Sequence, residues 1–452
     1  MFGDPILSEI TNKKERVDSI INAGWLIPIL PHKKILAGHS VAITDGKISH
    51  IMPKEKMLEF VSKEVFDLPN HALLPGLINC HNHAAMSLLR GLADDMALQP
   101  WLENIIWPIE KKYVSEEFVR DGTELAIAEM LLSGTTTFSD MYFFPETVAE
   151  VAVANGIRCQ ISFPILDFPS NWAESPDEYI SKGLAIRDKF KHVNLISTIF
   201  GPHSTYSLNE NNLSTISTIA SELDIGIQIH LHETNQEVLD GLAKRGERPI
   251  ETLFKLGLLG PKTQCVHMTN LNDEDIELLS RTGAQVIHCP ESNMKLASGI
   301  CPISKLLEAG VNVGVGTDGA ASNNDLNLFG ELKSAILLGK INSMDATALT
   351  ASEALTLGTL SGAKALGMDK NIGTIEVGKL GDLIAVDLHQ IEMQPLHDVF
   401  SQLIYVNNGS HVTHSWIQGE QIMRERQLLK IDQDNLRRRI LNWQKKLSIN
   451  EL

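Results

Sequence analysis

The sequence has no run of about 18 consecutive apolar residues, so we expect no transmembrane helix and no membrane partner. The first residues, MFGDPILSEITNKKERVDS, lack an apolar stretch ending in small residues, so no signal peptide is expected. The five cysteines are odd in number, far apart and without a CxxC pair, which argues against a disulfide framework or a thiolate zinc site. These absences favour a cytoplasmic location.

Positive charge is also scarce, since the sequence has 39 Lys and Arg residues against 56 Asp and Glu residues, which gives a net charge of -17. A nucleic-acid polymer is therefore an improbable partner, because its phosphates need clustered cations, and a small molecule is the expected one. The fractions of hydrophobic (43%) and charged (21%) residues are typical of a globular protein, with no repeat or low-complexity tract. A homo-oligomer is compatible with this composition.

The two ends of the chain have the pattern of short β-strands. Residues 1–74 contain IINAGWLIPIL, HSVAITDGKISHI and VFDLPN, and residues 371–430 contain GTIEVGKLGDLIAVDL and LIYVNNGSHVTHSWIQGEQI. Gly, Pro and Asp-Gly turn signals separate these apolar segments. We expect the two ends to pair into a small β-sandwich domain, followed by a charged helix in 431–452.

Between them, residues 75–370 alternate between strand and helix patterns. Eight short apolar runs are each followed by a helical stretch: LLPGLINCHNH, TTTFSDM, RCQISFPI, VNLISTIFGPH, IGIQIHLHE, TQCVHM, AQVIHCPES and NVGVGTDGA. Strand then helix, repeated eight times, is typical of a (β/α)8 TIM barrel. The predicted fold class is therefore α/β, a barrel with the small sandwich attached.

Histidines and carboxylates follow these runs at the strand ends, where such barrels carry their active sites. Five of the eight predicted strands end in or near histidine. The candidates are His81 and His83 after strand 1, His203 after strand 4, His230, His232 and Glu233 after strand 5, His267 after strand 6, His288 after strand 7 and Asp318 after strand 8. A lone histidine there is commonly just hydrogen-bonded, but this convergence favours a metal site.

Spacing alone leaves one ligand open, because His230 and His232 share a face on a regular strand. A two-metal centre would need a bridging lysine at the end of strand 4, whereas Lys191 precedes that strand. We therefore expect one divalent ion. Imidazole and carboxylate ligands suit Zn²⁺, which we favour, and also Fe²⁺.

At this point the motifs resemble those of the amidohydrolase superfamily, in the branch of cytosine deaminases, chlorohydrolases and aminohydrolases. The resemblance covers almost the whole chain. The matching segments are PGLINCHNH, GTTTFSDM, GPHSTYS, HLHE, CVHM, HCPESNMKLASG, GVGTDGAASNNDLNLFGE and GTIEVGKLGDLIAVD. Trp101 and the WPIE segment at 107–110 make the chain most similar to the 5'-methylthioadenosine/S-adenosylhomocysteine deaminase family.

The resemblance implies a role for each candidate. Metal ligands would be His81, His83, His230 and Asp318. Glu233 would be the proton shuttle, with His267 beside the attacking water and Asp318 aligning it. Substrate contacts would come from Glu110 on the ribose hydroxyls, His203, Trp101 in a covering loop, and again Glu233 and Asp318.

One departure bears on the substrate. A relative that accepts S-adenosylhomocysteine is expected to offer an arginine near strand 3, and here no arginine lies between Arg158 and Arg187. Arg158 begins that strand, at the wrong end of the barrel. The sequence thus favours hydrolytic deamination of 5'-methylthioadenosine or adenosine over S-adenosylhomocysteine, giving the inosine analogue and ammonia.

Three alternatives remain open. The same strand ends would serve a guanine, cytosine or triazine aminohydrolase or a chlorohydrolase, because loops choose the substrate. A metal-free scaffold protein with the same barrel is a second, although such proteins usually lose ligands. A small zinc deaminase of nucleic acids is disfavoured, since its His-x-Glu and Pro-Cys-x-x-Cys framework is missing.

Overall fold

The computed structural model describes residues 14–448. Residues 1–13, on which the signal-peptide prediction mainly rests, and residues 449–452 at the end of the predicted terminal helix lie outside that range. Within it, no helix is both long and apolar enough to cross a membrane.

The barrel is a parallel eight-stranded sheet whose strands follow one another in chain order, which confirms the predicted fold class. Each of the eight apolar runs of residues 75–370 contains one of these strands. The strands are Leu77–Asn82, Thr135–Asp140, Arg158–Ile165, Ile196–Pro202, Ile227–Leu231, Thr263–His267, Gln285–His288 and Val313–Val315. Most of their residues are buried, as expected of strands covered on both faces.

The first and eighth strands meet through specific contacts rather than a regular ladder. The Asn79 side chain donates to Thr317 Oγ1 (2.7 Å) and accepts from the Thr317 backbone N–H (3.0 Å). The Asp318 N–H donates to the His81 carbonyl at 3.1 Å. A Cβ on Gly316 would lie 2.8 Å from the His81 backbone nitrogen, so only glycine permits this approach. Barrel closure therefore brings Asp318 beside His81.

Each barrel strand is followed by at least one helix, and these helices bury the main hydrophobic core against the strands. The α-helices of the described residues are Leu98–Trp101, Trp107–Tyr113, Glu116–Leu132, Pro145–Asn155, Pro176–Phe190, Glu210–Leu223, Asn235–Arg245, Pro249–Lys255, Asp273–Thr282, Pro290–Lys295, Ile303–Glu308, Leu328–Ser343, Ala351–Thr356, Gly362–Ala365, Val399–Ser401 and Gln433–Lys446. Shorter 3-10 and π-helical turns are Lys54–Glu59, Ala84–Leu89, Leu102–Ile106, Leu357–Ser361, Ile391–Met393 and Gln402–Val406.

The two ends of the chain form one separate mixed sheet of nine strands, as the paired terminal segments predicted. Its strands are Glu15–Leu26, Leu36–Ala37, His39–Thr44, Lys47–Pro53, Phe60–Pro75, Leu383–Asp387, Val412–Ile417, Glu420–Arg424 and Gln427–Leu428. The antiparallel pairing of Phe60–Pro75 with Leu383–Asp387 joins the amino-terminal to the carboxyl-terminal half.

Two segments read as strands are not strands. Residues 373–377 form an irregular segment before Leu383–Asp387, and Gln402–Val406 is helical. The buried residues Phe400, Leu403 and Ile404 follow the i, i+3, i+4 spacing of a helix, and this turn packs on neighbouring helices. The helical spacing of the buried residues outweighs the β-propensity of the sequence LIYV at 403–406.

Buried polar contacts fix the sheet and the last helix to the barrel. Arg158 opens the third strand, at the amino end of the barrel, and pairs with Asp382 at 3.0 Å, both side chains being almost fully buried. On the last helix, Trp443 Nε1 donates to Asp121 at 2.7 Å, and Arg439 pairs with the same carboxylate. Because Arg158 is the first residue of its strand and is bound to Asp382, it lies far from the carboxyl ends of the strands, as predicted.

Candidate metal centre and active site

Three of the predicted ligands meet at the carboxyl end of the barrel. His81 lies on the first strand and His83 directly follows it, with ring centroids 4.7 Å apart, and the ring of His230 on the fifth strand lies 4.8 Å from that of His81. One ring nitrogen from each falls within 4.8 Å of the others. Strand alternation gives the reason, since side chains two residues apart project to the same side.

The outer nitrogen of each ring is engaged by an acceptor, which sets the tautomer. An oxygen that only accepts requires a proton on Nδ1 and leaves the Nε2 lone pair free for a metal. The acceptors are Gln228 Oε1 for His81 (2.8 Å), the Met141 carbonyl for His83 (2.5 Å) and the His203 carbonyl for His230 (2.8 Å). All three histidines thus present a bare Nε2 to one point.

This arrangement tests whether the residues fit a cation. The Nε2 atoms of His81 and His230 lie 3.2 Å apart, and burial lowers the pKa of both rings, which keeps them neutral. With their protons on Nδ1, two lone pairs face each other, an unfavourable contact that a positive ion between them relieves. Three imidazoles and a carboxylate are a donor set that suits a divalent metal.

Asp318 supplies that carboxylate. Its Oδ1 lies 3.4 Å from Nε2 of His81 and 3.3 Å from Nε2 of His83. Its Oδ2 accepts hydrogen bonds from the hydroxyls of Ser292 (2.7 Å) and Ser322 (2.8 Å). The two serines hold the carboxylate so that Oδ1 faces the histidines.

His232 does not join this cluster. The fifth strand ends at Leu231, and His232 has a φ of 51°, so the alternation that would place it beside His230 is broken. Its ring is buried, with Nε2 accepting from the Ile250 N–H at 3.2 Å and Nδ1 lying 3.8 Å from Asp275. The regular-strand reading of His232 was wrong, and the geometry favours His230 as the ligand.

Glu233 and His267 flank the cluster. Glu233 Oε2 lies 3.7 Å from His267 Nε2, and both residues are buried. Burial raises the pKa of Glu233 well above its usual value, and the nearby Asp318 carboxylate adds to this effect. Asn293 lies 3.0 Å from His267 Nδ1 and fixes the ring. The site thus offers a buried carboxyl group with a raised pKa next to an imidazole.

Of the predicted substrate residues, Glu110 and His203 are partly buried and lie near the histidine cluster. Burial raises the pKa of Glu110 to about 7, and Tyr142 donates its hydroxyl to that carboxyl group at 2.7 Å. The ring of His203 lies 4.7 Å from that of His230. Trp101, in contrast, is buried in the main hydrophobic core.

His288 ends the seventh strand, yet neither ring nitrogen has a hydrogen-bond partner among the described residues. Burial lowers its pKa to about 3, so the ring is neutral. Among the described residues, the ring nitrogens that lie within 4.8 Å of one another belong to His81, His83 and His230, so His288 is not part of this cluster.

A buried carboxylate behind the site was not identified from the sequence. Glu331, on the helix Leu328–Ser343, accepts from the Glu291 N–H at 3.1 Å and from the side chain of Asn323. Asn323 also donates to the Thr317 carbonyl at 2.8 Å. Glu331 therefore links the loop that carries Asp318 to the helix that carries Ser292. The acidic residue in the segment NLFGE was the available signal.

Comparison with known proteins agrees with this geometry. A profile of the amidohydrolase family matches residues 72–422. A 5-methylthioadenosine/S-adenosylhomocysteine deaminase of Teredinibacter turnerae is 47% identical over 95% of this chain and 98% of its own length. A 5'-deoxyadenosine deaminase of Methanobrevibacter smithii is 41% identical over 82% of this chain and 86% of its own.

A solved structure has the same architecture. An adenosine deaminase from Xanthomonas campestris with bound zinc superposes with a TM-score of 0.95 and 44% identity, covering 96% of this chain and 99% of that one. The sequence resemblance described above is thereby confirmed. With a barrel of this order, a matching profile over most of its length and near full-length relatives, the chain belongs to the amidohydrolase family.

Proposed function

We propose that this protein deaminates an adenine nucleoside by hydrolysis, with 5'-methylthioadenosine as the favoured substrate, and that it uses one zinc ion. The products are the inosine analogue and ammonia. Relatives named as deaminases of 5-methylthioadenosine, S-adenosylhomocysteine and 5'-deoxyadenosine support the reaction, and a zinc-containing relative supports the metal. Five buried free cysteines favour a reducing compartment, the cytoplasm.

The convergence of the metal ligands carries this proposal. His81, His83 and His230 direct their Nε2 atoms to one point, and Asp318 Oδ1 contacts two of them. Iron(II) accepts the same ligands, but zinc is the ion of the similar Xanthomonas structure. A divalent ion held there supplies Lewis acidity, which lowers the pKa of a coordinated water from 15.7 to roughly 7 to 9.

The surrounding side chains supply the proton transfers. Water adds to C6 of the adenine ring only if the ring nitrogen N1 gains a proton, and we assign that proton to Glu233. Burial raises its pKa, which favours the protonated form before attack. Asp318 accepts a hydrogen bond from the attacking water and orients it, while His267 stabilises charge on its oxygen. Glu233 then carries the proton removed from water to the departing amino group.

The predicted substrate residues position the nucleoside. Glu110 is assigned to the ribose hydroxyls, because an ionised carboxylate accepts from both, and Tyr142 holds one of its oxygens at 2.7 Å. His203 is assigned to the face of the bound substrate, since its ring lies beside that of His230. Trp101 would shape the covering loop from within, as a buried residue.

The 5' substituent decides between related nucleosides. Arg158 is bound to Asp382 at the amino end of the barrel and is unable to meet an amino-acid carboxylate at the other end. The loop after the third strand has no arginine before Arg187, which lies in the helix Pro176–Phe190. A small uncharged 5' group therefore suits this chain better than the homocysteine moiety.

Ammonia release from 5'-methylthioadenosine, adenosine, S-adenosylhomocysteine, guanine and cytosine tests the proposal. We expect the highest kcat/KM for 5'-methylthioadenosine and a lower one for S-adenosylhomocysteine. Preference for guanine or cytosine would replace the substrate assignment with that of a base aminohydrolase. Failure to release ammonia from any of them, with no retained metal, would favour a scaffold protein.

A further inference from the structure

Three glutamines are buried inside the barrel, where polar side chains are costly unless they are hydrogen-bonded. Gln160, Gln228 and Gln264 lie on the third, fifth and sixth strands and are at most 2% exposed. They are bonded to one another in a row. We call these three residues the glutamine relay.

The relay runs from a metal ligand to the opposite end of the barrel interior. Gln228 accepts from His81 Nδ1 at 2.8 Å and donates to Gln264 Oε1 at 2.6 Å. Gln264 in turn donates to Gln160 Oε1 at 2.9 Å, and Gln160 donates to the Leu366 carbonyl at 3.2 Å. Each amide accepts on the side of His81 and donates on the far side.

Backbone carbonyls fix this direction. The Leu366 carbonyl only accepts, so it requires the nitrogen of Gln160, and the Cys80 carbonyl likewise receives Gln228 Nε2 at 3.0 Å. Turning any one amide over would oppose oxygen to oxygen on one side and nitrogen to nitrogen on the other. Such buried unsatisfied groups are strongly disfavoured, so the row holds a single orientation.

We propose that the glutamine relay positions His81 for metal binding by holding its proton on Nδ1 and its Nε2 toward the ion. The proposal rests on the metal centre of the proposed function and adds positioning residues to it. For His83 and His230, backbone carbonyls accept the hydrogen bond from Nδ1, and a side-chain substitution does not remove a backbone carbonyl. Among these three ligands, His81 alone depends on side chains, and its geometry is the one that a mutation in the barrel interior can disturb.

Two substitutions at Gln228 separate hydrogen bonding from packing. Gln228→Met preserves the volume but offers His81 no acceptor, so the Kd for zinc added to metal-free protein should rise about 10- to 100-fold. Gln228→Glu preserves an oxygen acceptor for Nδ1, and in its protonated form its hydroxyl donates to Gln264 Oε1 in place of the amide, so it should recover most of that affinity. A residue that merely fills space would show no such rescue.

A second pair of variants tests the end of the relay that is farther from His81. A change there leaves the hydrogen bond between Gln228 and His81 in place. Gln160→Met removes the link to Leu366 without touching His81, and the zinc Kd should rise roughly two- to thirtyfold. Ser162→Ala is the matched control on the same strand, because Ser162 is fully buried and its hydroxyl has no partner among the described residues. Its zinc Kd should equal that of the unmodified protein.

Zinc affinity is measured by competition with a chromophoric chelator, and the thermal unfolding of each metal-free variant shows whether it is folded. At saturating zinc, kcat should fall while KM stays unchanged, since no relay residue belongs to the proposed substrate site. Equal zinc affinity for unmodified protein, Gln228→Met and Gln160→Met would overturn the relay alone. Absence of zinc binding by the unmodified protein would overturn the proposed function together with it.

Discussion

Replacing Glu233 by glutamine tests the proposed proton transfer at one side chain. The change keeps size and shape but removes the acidic proton. Transfer by a positioned acid typically contributes 10²- to 10⁴-fold, so kcat should fall by about that factor, equivalent to a barrier increase of about 2.7 to 5.4 kcal/mol. No hydrogen bond is formed by the Glu233 carboxylate within the described chain, so the unfolding temperature should stay unchanged or rise.

The assay is release of ammonia from 5'-methylthioadenosine, with the zinc content of each protein measured in parallel. Glu237→Gln is the matched control, because Glu237 is also a buried carboxyl group whose pKa burial raises, here to about 7, and its oxygen accepts from the Glu233 N–H. The replacement amide still accepts that bond, so kcat should change little. Full turnover by Glu233→Gln, or loss of its zinc, would refute the assignment.

Three further variants probe the ligands, the substrate residues and the fold. His230→Ala should lose bound zinc, whereas His232→Ala should keep it and lose about 1 to 3 kcal/mol of stability, as zinc analysis and denaturant unfolding would show. Substrate KM should fall as pH rises through about 7, because the ionised form of Glu110 binds the ribose. Tyr142→Phe removes the hydrogen bond that lowers the pKa of Glu110, so the midpoint of the KM profile should move to higher pH. An unmoved midpoint would reject the pairing of Tyr142 with Glu110. Arg158→Met leaves the buried Asp382 carboxylate without its partner and should lower the free energy of unfolding by about 3 to 5 kcal/mol. The KM of the folded protein should be unchanged, and a raised KM would place Arg158 in the substrate site instead.

The barrel was predictable because its strands are short, mainly apolar runs that can be recognised without knowledge of their tertiary contacts. Leu77–Asn82 and Arg158–Ile165, for example, are buried throughout and read as strands from their letters alone. The position of His81 and His83 at a strand end followed from the same pattern. Local alternation and the rule for barrel active sites were sufficient for these elements.

Features that depend on local backbone deviation were not predictable in the same way. Alternation placed His232 beside His230, but the positive φ at His232 turns its ring into the surrounding helices. The segment 403–406 has β-forming letters, yet its burial against helices makes it a helical turn. In both cases tertiary packing outweighs the local signal.

The supporting hydrogen bonds form between strands that are distant in the chain. Gln228 and His81 are separated by 147 positions, and no local pattern joins them. The signal was present in another form, since Gln160, Gln228 and Gln264 each precede an apolar residue within a short buried strand. A buried amide in each of three barrel strands indicates a polar network inside the barrel.

The dependence of activity on bound metal tests the central claim most directly. The protein is stripped of metal with a chelator and titrated with zinc, and deamination of 5'-methylthioadenosine is measured at each addition. If His81, His83, His230 and Asp318 hold one catalytic ion, activity should rise in proportion to zinc and stop rising at one ion per chain. Full activity in the stripped protein, or a plateau only at two ions per chain, would contradict the account.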